Sequence, residues 1–358
     1  MIARRHRGNQ WPKRPHLAEA DGSARGLARN RHTPVIEISF QLPDPRRRLT
    51  AVRVAHELRD RLPHELTRRG KSWELTAPAP DVARFEYQLE LIDARGESHW
   101  IVDPANPKTA SGPWGDKSVW EEPGYAPPDW VGAEPVGEAE SVTIPSRILR
   151  AELPALIWAH PDATAQSPML VVHDGPEYAE HSDLLTLLGQ LPPVRATLLG
   201  PVDRNEIYSA SARYARALAD EILPALTPAP RRIGLGASLG ALALFHVHRR
   251  DPVSFDALFL QSGSFFRHAD VHERWFPRHE RIARFVGGVQ RNRPERTIPI
   301  VVGCGTVEEN LPANRTLAES LRRHGYDARL HEFRDGHNWV AWRDSFHPHL
   351  LRLLQNLT

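Results

Sequence analysis

The sequence predicts two folded parts, a small antiparallel β-sandwich and then an α/β domain whose mostly parallel sheet is flanked by helices. Three observations predict this. At 358 residues the chain is too long for one small module. From Thr33, apolar and polar residues alternate with period two over roughly 100 residues between turn sequences, the pattern of strands with one wet face. From about Ser141, short unbroken apolar runs alternate with helical periods, as a parallel sheet covered on both faces requires.

Composition closes off other classes. Hydrophobic residues make up 41% and charged residues 25%, which excludes a disordered, collagenous or coiled-coil chain. The single cysteine, Cys304, rules out a disulfide framework and a cysteine-based zinc site. Mean hydropathy is −0.47, and no apolar run approaches the roughly 18 residues of a membrane span. No apolar stretch follows the basic start MIARRHRGNQWPKRP, so it does not read as a secretory signal, and a cytoplasmic location is expected.

In chain order, residues 1–32 carry a net charge of +6, leaving −4 over the rest. Such a tail could touch nucleic acid or anionic lipid, but it lacks aromatic or apolar periodicity. It is expected to be a disordered extension, with neither nucleic acid nor membrane as a partner. Residues 33–132 form the sandwich. Ile36, Ile38 and Phe40 alternate with polar neighbours, as do Phe85, Tyr87, Leu89 and Leu91, and Ser98–Val102 reads as a return strand. The Pro/Gly/Glu-rich stretch Pro123–Pro135 reads as interdomain, and residues 133–148 as the linker proper. Over 149–358 the expected strands are Ala155–Ala159, Met169–Val172, Val194–Leu199, Arg232–Ala237, Ala257–Leu260, Ile298–Val302 and Ala328–Phe333. Tyr214, Leu218, Ile222 and Leu226 mark the clearest helical face between them.

The chemistry concentrates at G-x-S-x-G, here Gly236, Ser238 and Gly240. An apolar strand enters the serine and an Ala/Leu-rich helix leaves it. That is the setting in which a serine is held on a strained turn with Oγ exposed, and small residues at ±2 let the backbone turn so sharply. A serine hydroxyl needs a base, itself oriented by an acid, and on this fold they follow in the order Ser, Asp/Glu, His. The loop after the last expected strand supplies His337. The loop after the preceding strand supplies Glu308, with the adjacent Glu309 as a rival that sequence does not separate from it. Oxyanion donors are expected from the N–H of Leu239 and from the loop His173-Asp174-Gly175-Pro176-Glu177. Pro176 has no N–H there, so Gly175 or Glu177 must serve.

The HDGPEY loop, the GASLG elbow, Gln261-Ser262-Gly263-Ser264-Phe265-Phe266, Gly305-x-x-Glu308 and Asp335-Gly336-His337-Asn338-Trp339 resemble, in that order, the enterochelin esterase family. That family lies within the esterase D and mycolyltransferase branch of the α/β hydrolase fold. Phe85-Glu86-Tyr87, Asp103-Pro104-x-Asn106-Pro107 and Pro123-Gly124-Tyr125 resemble the immunoglobulin-like E-set domain that precedes the hydrolase in those esterases. The resemblance implies Ser238 as nucleophile, His337 as base and Glu308 as acid, and it places Arg204, Asp174 and Trp339 beside the substrate. Trp339 and Trp342 also suit packing of the C-terminal helix.

The resulting expectation is a serine carboxylic ester hydrolase working through an acyl-enzyme. Its partner is a small-molecule ester, and the resemblance points to a ferric siderophore trilactone whose opening releases iron. No cofactor or metal is needed for catalysis. A general carboxylesterase or an acyltransferase of the same branch is the nearest alternative, and a non-catalytic glycan-binding protein is the alternative of another class. Between Ala257–Leu260 and Ile298–Val302 the chain holds eight arginines with Phe265, Phe266, Trp275 and Phe276. That set would suit an anionic catecholate ligand, or simply a solvated face. The pairs His246-x-His248 and His347-x-His349 lack a third ligand and read as core or surface histidines. Oligomeric state is not legible.

Overall fold

A computed structural model describes residues 36–113 and 115–355; the basic tail expected over residues 1–32 lies outside them. The first part contains two antiparallel sheets. One orders Glu37–Pro43, Ser72–Pro78 and Thr67–Arg69; the other orders Leu49–His56, Arg84–Asp93, Lys117–Glu121 and Thr109–Ala110, with Ser98–Ile101 also on Arg84–Asp93. Ile38, Phe40 and Leu42 face inward with Val52, Val54, Trp73, Phe85, Tyr87 and Leu89 and form one core between the sheets. Ile36, read as an inward position, is exposed. The Asp103–Asn106 turn is tied to this core, because Tyr87 O–H donates to Asp103 Oδ2 at 2.8 Å and Asn106 Nδ2 donates to Val119 O at 2.8 Å.

The second part is built on an eight-stranded sheet. Its order is Ala328–Phe333, Ile300–Gly305, Ala257–Gln261, Arg232–Ala237, Met169–His173, Arg195–Leu199, Ala151–Ala159 and Ala139–Ser146. The first six run parallel, and the last two form an antiparallel edge. Met169–His173, Ala257–Gln261 and Ile300–Gly305 are buried along their whole length, with an apolar cluster on each face of the sheet.

One expectation fails here. The linker expected over 133–148 contains the strand Ala139–Ser146, which pairs residue for residue with Ala151–Trp158. This strand is mostly exposed and carries Pro145, tolerable on a sheet edge, so it lacks the apolar run by which its neighbours were recognised. The preceding stretch is also packed rather than loose: Tyr125 O–H donates to Asp344 Oδ2 at 2.7 Å, and Trp130 stacks on Phe346. Tyr214, Leu218, Ile222 and Leu226 are all buried, as expected. A spacing of four overshoots the 3.6-residue turn, and a π-helical segment at Leu218–Ile222 absorbs the excess.

Candidate active site

Strand Arg232–Ala237 ends in Ser238 and helix Leu239–Arg250 begins at the next residue. Ser238 has φ 56° and ψ −121°, a conformation that costs a non-glycine residue about 1–3 kcal/mol. The flanking glycines are required by contact. A Cβ on Gly236 would lie 2.9 Å from the Gly240 carbonyl carbon, and one on Gly240 would lie 3.1 Å from both His173 Cβ and Asp174 Oδ2. The second contact brings the loop after Met169–His173 against the start of the elbow helix. His173 fastens it there: Nδ1 donates to Gly240 O at 3.1 Å and Nε2 accepts from Tyr214 O–H at 2.8 Å. Burial pushes the His173 pKa down to about 4, so the ring is neutral and can hold both bonds.

The parallel strands present their following loops at one end of the sheet, the end at which Ser238 sits. In the loop after Ile300–Gly305, Glu308 turns inward. Its Oε2 accepts from His337 Nδ1 at 2.7 Å, and its Oε1 accepts from Ser262 Oγ at 2.6 Å and from Gly305 N at 2.7 Å. Glu309 points the other way and pairs with Arg59 of the sandwich, Nε to Oε1 at 2.9 Å. Of the two adjacent carboxylates, Glu308 is therefore the one joined to the imidazole. Burial alone would lower the pKa of His337. The Glu308 carboxylate, reinforced by Glu57, outweighs both burial and the repulsion of Arg204 and holds His337 above its ordinary value. With Nδ1 committed to Glu308, Nε2 is left for proton transfer, and the side chain remains about one-third exposed (32%). The Ser238 hydroxyl is bonded to Ser264 Oγ at 3.2 Å rather than to the imidazole.

Gly175 and Glu177, the expected second oxyanion donors, lie in the first turn of helix Gly175–His181, where backbone N–H groups have no intrahelical acceptor. Leu239 occupies the same position in the elbow helix. Gly175 also packs so closely on the neighbouring strand that a Cβ would lie 2.3 Å from Leu198 Cα. Of the side chains expected beside the substrate, Asp174 is buried, and both its oxygens accept from Arg204, at 2.8 Å each. Arg204 itself is 38% exposed and acts electrostatically on His337, so it borders the site. Trp339 packs edge-on against Tyr178 and Trp342.

Sequence reasoning did not assign Ser262, Ser264, Trp342 or Glu57 to the site. Ser262, at φ 49°, donates to Glu308 and accepts from Trp342 Nε1 at 2.9 Å, and the Trp342 ring lies edge-on to His337 at 5.0 Å. The Ser262–Ser264 motif was visible only as part of a resemblance. Nothing in the sequence marked Glu57.

Four of the eight arginines in the arginine-rich segment are paired with acidic side chains. Arg267 pairs with Asp270, Arg278 and Arg281 pair with Glu206, and Arg296 pairs with Asp256. His246 and His248 are buried on the elbow helix, His248 facing Tyr326 O–H at 3.2 Å, and Cys304 is buried in its strand. Among the described residues, no helix is long and apolar enough to cross a membrane.

No family model matches the chain. The iron(III) enterobactin esterase of Dickeya dadantii (strain 3937) is 28% identical over 211 residues, covering 51% of this chain and 46% of that protein, so the match spans a little under half of its length. The enterobactin esterase of Shigella flexneri, solved in the presence of enterobactin, superposes with a TM-score of 0.73 at 21% identity, covering 90% of this chain and 94% of that one. The ferric enterobactin esterase of Salmonella typhimurium does so at 0.72 and 21%, with the same coverage. The proteins this chain resembles are ester hydrolases, and its fold is theirs.

Proposed function

We propose that the protein is a serine carboxylic ester hydrolase acting through an acyl-enzyme on a siderophore-type trilactone, opening the lactone so that its iron is released. The observation that carries the reading is the 2.7 Å bond from His337 Nδ1 to a buried Glu308, on loops at the same end of the sheet as an elbow serine held at φ 56°. Ser238 Oγ turns from Ser264 toward His337 and attacks the ester carbonyl as its proton passes to Nε2. The oxyanion is met by Leu239 N–H and by Gly175 or Glu177 N–H. The tetrahedral adduct collapses, His337 returns the proton to the leaving alkoxide, and the acyl group stays on Ser238. Water, deprotonated by the same Nε2, then releases the acid and restores the serine. Iron is cargo, and these steps need no cofactor.

The trilactone assignment is supported by what the similar proteins of Dickeya, Shigella and Salmonella are named for. A general carboxylesterase is the second reading. The observation favouring it is that Arg267, Arg278, Arg281 and Arg296 are tied to acidic partners rather than presented to an anionic ligand. We assign the first part to an immunoglobulin-like E-set domain, supported by its two face-to-face antiparallel sheets, and begin the catalytic part at Ala139. The esterase D branch and a cytoplasmic location belong to the same proposal.

The test is covalent labelling with a fluorophosphonate, wild type against Ser238→Ala, followed by a screen of catecholate trilactone, aryl and glycan esters. Labelling should vanish in the variant, and the trilactone should be turned over best. Equal labelling of Ser238→Ala would overturn the serine assignment. Preference for simple aryl esters would leave the second reading.

A further inference from the structure

The sandwich reaches the catalytic loops with a specific set of bonds. Glu57 Oε2 accepts from the backbone N–H of His337 at 2.9 Å, across 280 residues of sequence. Ala83 N donates to Arg334 O at 2.6 Å, Arg84 donates to Asn338 Oδ1 at 3.0 Å, and Arg61 donates to Thr306 O at 3.0 Å. Arg59 holds Glu309, next to the acid, and Val307 from the acid loop is buried in the sandwich core. Both loops of the acid–histidine pair are therefore gripped from the sandwich, and Glu57 bonds the histidine itself.

We propose that Glu57 is a positioning residue for His337: it fixes the histidine backbone from the sandwich while Glu308 fixes the ring. The proposal rests on the esterase reading above. A ring held only through Nδ1 can still swing with its main chain. A second anchor on the residue's own N–H removes that freedom and keeps Nε2 aimed at the elbow. The bond is charge-assisted, the stronger class of hydrogen bond. Gly336 leaves room for it, since a Cβ there would lie 3.3 Å from Glu57 Oε2.

The charged groups acting on His337 include Glu308 from its partner loop, Glu57 from the sandwich and Arg204 from the short helix Arg204–Ile207; burial holds the Glu57 pKa above its ordinary value, with Lys117 and His337 itself opposing. Glu57 and Glu308 favour the imidazolium, and Arg204 opposes it. Loss of the Glu57 charge therefore lets the neutral base persist to lower pH, and the acid limb of activity moves down.

The experiment uses the full chain and a p-nitrophenyl acyl ester, with kcat and KM followed across pH for wild type, Glu57→Gln, Glu57→Ala and Tyr125→Phe. Glu57→Gln keeps an acceptor for the N–H and loses the charge. Its alkaline kcat should stay within about twofold while the acid limb shifts down. Glu57→Ala loses both and should show the same shift plus about a tenfold lower kcat at nearly unchanged KM. Tyr125→Phe, which cuts the contact to Asp344, should reproduce the wild-type profile. Wild-type limbs and plateaus in both Glu57 variants would overturn the proposal, as would equal losses in the two with no shift. Ser238→Ala is run alongside. Turnover that survives it would overturn the esterase reading and this inference with it, whereas Ser238-dependent turnover with an unmoved profile overturns the inference alone.

Discussion

Replacing Glu308 by glutamine changes one atom, and the contacts of the carboxylate determine what that does. Its oxygens accept three bonds, from Ser262 Oγ, Gly305 N and His337 Nδ1, at 2.6, 2.7 and 2.7 Å. If the new amide NH2 faces Gly305, two fixed donors abut, at a cost of about 1–3 kcal/mol. The amide therefore turns its NH2 toward His337, whose Nδ1 must then accept. That tautomer carries its proton on Nε2 and cannot take one from Ser238. A base locked in the wrong tautomer lowers kcat by about 10³–10⁴, or about 4–5.5 kcal/mol of barrier. Glu309→Gln loses only a half-exposed pair with Arg59, so kcat should change by less than about twofold. Initial rates on a p-nitrophenyl acyl ester, with kcat and KM resolved separately, measure both. KM should hardly move in Glu308→Gln, because that side chain is only 1% exposed. The residual acid limb should move to lower pH, since Glu308 is what holds the His337 pKa up. Retention of more than a tenth of wild-type kcat in Glu308→Gln, or a larger loss in Glu309→Gln, would refute the reasoning.

Ser238→Gly should abolish turnover yet raise stability by about 1 kcal/mol, because glycine accepts φ 56° without the strain serine carries; a thermal melt reads the gain. Gly236→Ala should destabilise by about 1–3 kcal/mol in urea titration, its Cβ being forced to within 2.9 Å of the Gly240 carbonyl carbon. Asp335, beside His337, has its pKa pushed up to about 7 by burial, with Arg84 opposing. A carboxyl whose folded pKa is raised adds stability below its unfolded pKa and loses it as pH climbs to the folded one, so wild type should lose stability between about pH 4 and 7. Asp335→Asn should flatten that loss in urea titrations over the same range, and an unchanged slope would remove Asp335 as its source.

The parts of the fold that sequence revealed are those where one physical demand dominates. Strands such as Met169–His173 and Ile300–Gly305 are buried on both faces and so are written as unbroken apolar runs. The elbow was legible because sterics leave little besides glycine at 236 and 240. The strand Ala139–Ser146 was not, because an exposed edge sets no such demand. Glu308 and Glu309 could not be separated because the choice depends on how one turn rotates between the sheet and the sandwich, with a histidine drawing one carboxylate and Arg59 the other.

The same reasoning explains why the role of the first part had to be read from geometry. The loops carrying Glu308 and His337 leave the sheet with backbone polar groups that no strand or helix satisfies, and they must still hold a proton-transfer pair within a few tenths of an ångström. Ser262, Trp342 and Gly305 hold the pair from within the hydrolase part. Partners on Thr306 O, Arg334 O and His337 N come from residues 57–84, and Arg84 adds a bond to Asn338 Oδ1, which also caps helix Trp339–Asp344. Each is an ordinary surface residue by sequence, and only the packing of one core against the other gives it an address. The sandwich therefore braces the two loops from outside the hydrolase part, so substitutions at Glu57, Arg61 and Arg84 should perturb kcat and its pH dependence before they perturb KM.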